Sequence, residues 1–139
     1  MPEIKSMASV TQQVAVSALR AQQGRMRIIA ENLANADSTS KTAGGDPYRR
    51  QAPVFTPAKV AGAQGVKMSK VMPDQTEFRQ EYEPGHPSAD AKGYVKLPNV
   101  NSLIEALDMR QAQRAYEANL NVIETSRSMQ MRTLDLIKK

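Results

Sequence analysis

Proline and glycine are confined to the middle of this 139-residue chain. Seven of the eight prolines and six of the seven glycines lie between Gly44 and Pro98, leaving only Pro2 and Gly24 outside. Proline removes a helical donor and clashes with the preceding turn, so long helices are barred from the middle and permitted at both ends. Five of the six aromatics, Tyr48, Phe55, Phe78, Tyr82 and Tyr94, share that interval and suit strands. The partition predicts an α+β fold, with two long terminal helices forming a coiled-coil-like assembly domain around a small β-rich, loop-rich insert. The expected boundaries are an N-terminal assembly helix over 1–36, the insert over 37–98, and a C-terminal assembly helix over 99–139.

The arms have helical periodicity. Leu19, Met26 and Leu33 recur every seventh residue, beside a second row of Ala15, Gln22, Ile29 and Ala36. Rows offset by three or four residues share one face, which makes a coiled-coil-like seam. Gly24 weakens its middle by about 1 kcal/mol relative to Ala. Asp37-Ser-Thr-Ser40 competes with the helical backbone and should end the arm. In the second arm, Ser102-x-x-Glu105 has capping-box spacing, and neither Pro nor Gly occurs from Asn99 to Lys139. Val122, Met129 and Leu136 form one heptad row, flanked by Tyr116, Leu120, Ile123, Met131 and Leu134. So wide an apolar face suits several neighbours and partial disorder until they arrive, although a hairpin of the two helices within one chain fits the same periodicity.

Polar residues on these faces are candidate interface elements. Asn32 and Asn35 fall near the end of the first arm, where amides satisfy terminal backbone groups, and Asn119 lies near the second seam, where a polar residue can fix register. Water-facing amides remain the alternative for all three. In the insert, strands are expected around 48–55, 65–71, 77–82 and 93–97, with loops at 57–65 and 83–90.

Little catalytic chemistry is available. The chain has no Cys, and His86 is its one histidine, which removes thiolate chemistry and multi-histidine metal sites. Gly44-Gly45 lacks the Gly-Lys-Ser/Thr that completes a phosphate loop. Glu81 and Glu83 share a strand face and could mimic a glycosidase carboxylate pair, although a solvated face explains them equally well. For Arg49-Arg50 a solvated edge is the default, with contact to an acidic neighbour or a phosphate as the alternative. No catalytic, cofactor-binding or metal residues are assigned, and no enzyme activity or cofactor is expected.

The net charge of +5 raises the question of nucleic acid. Basic and acidic residues number four and two over 1–36, nine and seven over 37–98, and six and five over 99–139. So even a distribution lacks the concentrated basic stripe that phosphate binding uses, and no nucleic-acid partner is expected. A cytoplasmic helical adaptor or nucleic-acid-binding module is the competing class. No cleaved signal peptide or membrane-spanning run is visible, which points to the cytoplasm unless another export route exists.

Several segments resemble one family. Ser17-Ala-Leu-Arg-Ala-Gln22 and Ala30-Glu-Asn-Leu-Ala-Asn-Ala-Asp37 resemble the N-terminal signature of the flagellar rod and hook proteins. Pro47-Tyr-Arg-Arg-Gln-Ala-Pro-Val-Phe55, the stretch from Tyr82 to Asn101, and Arg114-Ala-Tyr-Glu-Ala-Asn119 are similar to the proximal rod members of that family. The segments follow the family's order and span most of the chain; residues 58–80 match least. The resemblance implies a structural subunit of the proximal rod in the bacterial flagellar basal body, polymerising through its terminal helices into a torque-transmitting shaft. It implies a periplasmic location, reached unfolded through the flagellar type III export apparatus. The partners implied are further copies, other proximal rod proteins, the membrane-ring adaptor and the distal rod protein, with no direct membrane insertion. The expected interface residues are Leu19, Met26, Ile29, Asn32, Leu33, Asn35, Tyr116, Asn119, Val122, Met129 and Leu136.

Overall fold

The structure, a computed structural model, describes residues 2–138. Its elements in chain order are α1 (Pro2–Ala34), β1 (Gln51–Val60), β2 (Ala63–Pro73), β3 (Arg79–Tyr82), β4 (Tyr94–Leu97) and α2 (Ser102–Lys138). Two long helices flank a small β insert, as the proline and glycine partition predicts. The helix ends are capped by side chains. Asn35 Nδ2 donates to the Glu31 carbonyl at 2.9 Å where α1 stops. At α2, Asn101 Oδ1 accepts from the Leu103 and Ile104 amides at 3.1 and 3.3 Å. Asn101 is therefore the N-cap, and the expected Ser102/Glu105 capping box does not form, because Glu105 is fully buried in other contacts.

The insert holds two separate two-stranded sheets, β1–β2 and β3–β4. The expected loop over 57–65 is instead a continuation of β1 and β2 around a two-residue turn. Ala61 (φ 51°) and Gly62 (φ 81°) are both left-handed, as a type I′ hairpin turn requires. Pro57 is tolerated in β1 because a two-stranded sheet leaves half its backbone donors unpaired.

The chain forms two compact units, each drawing on both helices. The first comprises Met1–Met26, Val54–Lys70 and Gln111–Lys139. Here α1 and α2 run antiparallel. Ser126 Oγ donates to the Ala8 carbonyl at 3.3 Å, Gln12 Nε2 to Gln130 Oε1 at 3.1 Å, and Arg25 Nη2 to Gln111 Oε1 at 3.0 Å. Its buried residues are small: Ala15, Ala21, Ala112 and Ser126. The β1–β2 hairpin lies on α1, with the Val66 amide donating to Ser17 Oγ at 3.3 Å. A Cβ on Gly24 would stand 2.9 Å from Met68 Cε, so this helix-weakening glycine makes room for the hairpin.

The second unit comprises Arg27–Pro53 and Val71–Arg110. Ile28, Ile29, Ala36, Val95 and Val100 are its buried apolar residues. β3 and β4 pair antiparallel, Arg79 opposite Leu97 and Tyr82 opposite Tyr94. The two tyrosine rings meet edge to face at 5.3 Å. Gly93, at φ 86°, turns the chain into β4 where a Cβ would lie 2.8 Å from the Tyr82 ring. Asp90 Oδ1 accepts from the Lys92 and Tyr94 amides at 2.9 Å each. These backbone bonds, Tyr94 first, hold the Asp90 carboxyl below the usual carboxylate range.

Candidate assembly interface

Helix α2 has two contrasting rows. Glu105, Ala112, Asn119, Ser126 and Thr133 recur every seventh residue and are buried or half-buried. These small and polar residues form the inward row. The apolar row of Val122, Met129 and Leu136 is 44%, 63% and 74% exposed. Leu103, Ile104 and Leu107 are also more than half exposed. Single exposed apolar residues are ordinary, whereas a helical row of them is an unfilled packing face. Val122 and Met129, with Met7, Ala8 and Thr11 of α1, line a groove of about 510 Å³ in the first unit.

The other expected interface residues are distributed more unevenly. Leu19, Met26, Leu33, Asn35, Tyr116 and Asn119 are half-buried. Ile29 and Asn32 are fully enclosed within the second unit. Asn119 Nδ2 donates to the Ala115 carbonyl one turn back at 2.7 Å. The open choice between a helical hairpin and several neighbours thus has a combined answer: the helices pair within one chain through small and polar side chains, and the large apolar row of α2 is left outside.

Asn32 is the centre of a polar clasp. Its Oδ1 accepts from Tyr48 OH at 2.8 Å and from the Gln51 amide at 2.9 Å. Its Nδ2 donates to the Gln51 carbonyl at 2.8 Å and to Glu105 Oε2 at 3.4 Å. One amide side chain thereby pairs the end of α1 with the start of β1 as a neighbouring strand would. Burial, then the negative charges of Glu31 and Glu105, push the Tyr48 hydroxyl above its usual range and keep it a donor.

Arg50 extends the clasp. Its Nε bonds to Glu105 Oε1, its Nη1 lies 3.3 Å from Asp74 Oδ2, and its Nη2 lies 3.8 Å from Asp108 Oδ2. Its backbone amide donates to Asn99 Oδ1 at 2.7 Å. Arg49 donates to the Asp74 and Thr76 carbonyls at 2.8 and 3.0 Å and stacks 4.2 Å over the Phe78 ring. The default of a solvated arginine edge is therefore corrected in favour of its alternative, contact with acidic neighbours: both arginines are structural, because three carboxylates and two carbonyls converge on them. The sequence signals missed were Glu105, which begins the inward row of α2, and the position of Arg49-Arg50 immediately ahead of β1. His86, half-buried, uses Nδ1 to accept from the Ser88 amide at 3.0 Å, a turn-forming role.

Comparison with known proteins fits this architecture at both ends. The family described as flagella basal body rod protein matches residues 13–40, and the C-terminal family of flagellar basal body rod FlgEFG proteins matches 91–136. The flagellar basal-body rod protein FlgC of Agrobacterium fabrum is 48% identical over 132 residues, covering 94% of this chain and 95% of that protein. The chain belongs to the FlgC family of flagellar basal-body rod proteins. The FlgC of Escherichia coli O6:H1 is 46% identical over 88% of the chain and 92% of its own length. That of Bacillus subtilis is 37% identical over 90% and 95%. Membership of the FlgC family makes the chain a structural rod subunit of the flagellar basal body. Among the described residues, no helix is long and apolar enough to cross a membrane.

Proposed function

We propose that this FlgC-family chain is a proximal rod subunit whose terminal helices supply the contacts that build the rod. The exposed Val122/Met129/Leu136 row carries the proposal. Full burial of each such side chain is worth roughly 1.5–3 kcal/mol, less for Val122, which is already partly covered. Repeated through a head-to-tail array, such contacts support a load-bearing shaft without any chemistry. Leu19, Met26, Leu33 and Tyr116, half-covered within the chain, would complete their burial against neighbours. The partners proposed are further copies, other proximal rod proteins, the adaptor at the membrane ring and the distal rod protein. Export unfolded through the flagellar type III apparatus suits a chain with no disulfide and, in its first unit, a core built of small side chains.

Met129→Asp tests this proposal. The side chain already faces solvent, so the isolated chain should keep its helicity and still be secreted. A carboxylate in an apolar intersubunit contact costs several kcal/mol, so incorporation into basal bodies and motility should be lost. Glu124→Lys, an exposed charge on another side of α2, should leave both intact. Normal motility with Met129→Asp would remove this row from the assembly contacts.

A further inference from the structure

The β1–β2 hairpin carries charge of a single sign. Residues 51–73 contain Lys59, Lys67 and Lys70 and neither Asp nor Glu. All three lysines are exposed, and Phe55 is 36% exposed on the same alternation as Lys59. The opposite face is already taken, by Ser17 bonding the Val66 amide and by Gly24 receiving Met68. A partner therefore meets the face of Lys59 and Lys67, while Lys70, on the Met68 side of β2, adds its charge from an exposed position further along the strand.

The next ten residues reverse the sign. Residues 74–83 hold four acids and one base, a net charge of −3. Asp74 is engaged by Arg50, which leaves Glu77, Glu81 and Glu83 exposed. All four residues of β3 are exposed, Tyr82 at 64%, and among the described residues β3 pairs only with β4. Its other edge is an open row of backbone groups flanked by carboxylates. Such an edge repels a second copy of itself and accepts a basic strand or hairpin. The chain carries one such element of matching charge.

We infer that the Lys59/Lys67/Lys70 hairpin of one copy docks on the Glu77/Glu81/Glu83 edge of β3 in a second copy. The two surfaces are different, so the contact is heterologous and repeats head to tail instead of closing a two-fold dimer. The charges steer the approach and fix its direction. Exposed charge pairs are individually weak, so the contact acts within the array and not between free subunits. It adds to the terminal-helix contacts and rests on the assembly role proposed above.

Charge reversal in the full chain tests it, with incorporation into isolated basal bodies as the readout and circular dichroism as the fold control. Lys59→Glu/Lys67→Glu/Lys70→Glu and Glu77→Lys/Glu81→Lys/Glu83→Lys should each lower incorporation at least ~10-fold, and combining all six should restore it to within about threefold. Since the natural chain has no cysteine, a Lys67→Cys/Glu81→Cys pair gives an unambiguous cross-link, expected between two copies. Normal incorporation of both triple variants, or no restoration in the combination, would overturn the contact. So would a link within one chain or to a different rod protein. Failure of the docking and failure of the assembly role are distinguishable. If Met129→Asp blocks incorporation while both triples incorporate normally, only the hairpin contact is wrong.

Discussion

Asn32 makes four hydrogen bonds through one fully buried side chain, and its isosteric replacement isolates their worth. Asn32→Asp keeps shape and volume but turns a donor toward the Gln51 carbonyl and the Glu105 carboxylate into an acceptor. Lost bonds plus like-charge repulsion in a fully buried position should cost on the order of 3 kcal/mol, read by denaturant unfolding of the full chain. Unchanged stability would mean that the clasp is not formed in solution. Asp74 adds a pH dependence. The Thr76 backbone amide at 3.0 Å is the main influence, with the Thr76 hydroxyl and Arg50 adding to it against an opposing push from desolvation, and it holds the carboxyl below its ordinary range. A pKa lower folded than unfolded stabilises fully above the unfolded value near 4 and loses that stabilisation as pH falls through the folded value. Asp74→Asn should therefore lower stability at neutral pH and flatten its decline below about pH 4. Parallel pH–stability curves for the variant and the natural chain would contradict this.

At the scale of elements, turn and cap chemistry gives two further tests. Ala61 occupies a left-handed position that costs a residue with a Cβ about 1–2 kcal/mol, whereas Asn-Gly suits a type I′ turn. Ala61→Asn should stabilise the chain by up to about 1 kcal/mol, seen as a higher midpoint in thermal unfolding. Asn101→Ala should cost about 1 kcal/mol through loss of the α2 cap, while Ser102→Ala should cost much less. The reverse ranking would restore the Ser102/Glu105 capping box. These two sites also show what the sequence conceals. Proline and glycine placement was enough to read α1, α2 and a β insert between them. Ala61-Gly62 carries no strong turn signature, so the hairpin around it read as a loop. Ser102-x-x-Glu105 matched a local pattern, but the distant Arg50 captured Glu105, and local spacing holds no information about a partner 55 residues away.

On the scale of the whole molecule, the same limit applies to the interface. Heptad spacing identified the Val122/Met129/Leu136 row, but not that Ala112 and Ser126, rather than large apolar residues, would pair the helices within one chain. Likewise, an even regional charge count concealed a hairpin of +3 followed directly by a segment of −3. The division of labour that results is physical: small and polar residues pair the two helices, and a large apolar row and charged surfaces are left exposed. A cryo-electron-microscopy map of basal bodies purified from cells expressing this chain tests that division most directly. Density for α1 and α2 is expected within the rod, with Val122, Met129 and Leu136 buried against adjacent subunits. A rod in which that row faces solvent, or one that lacks this chain altogether, would contradict it.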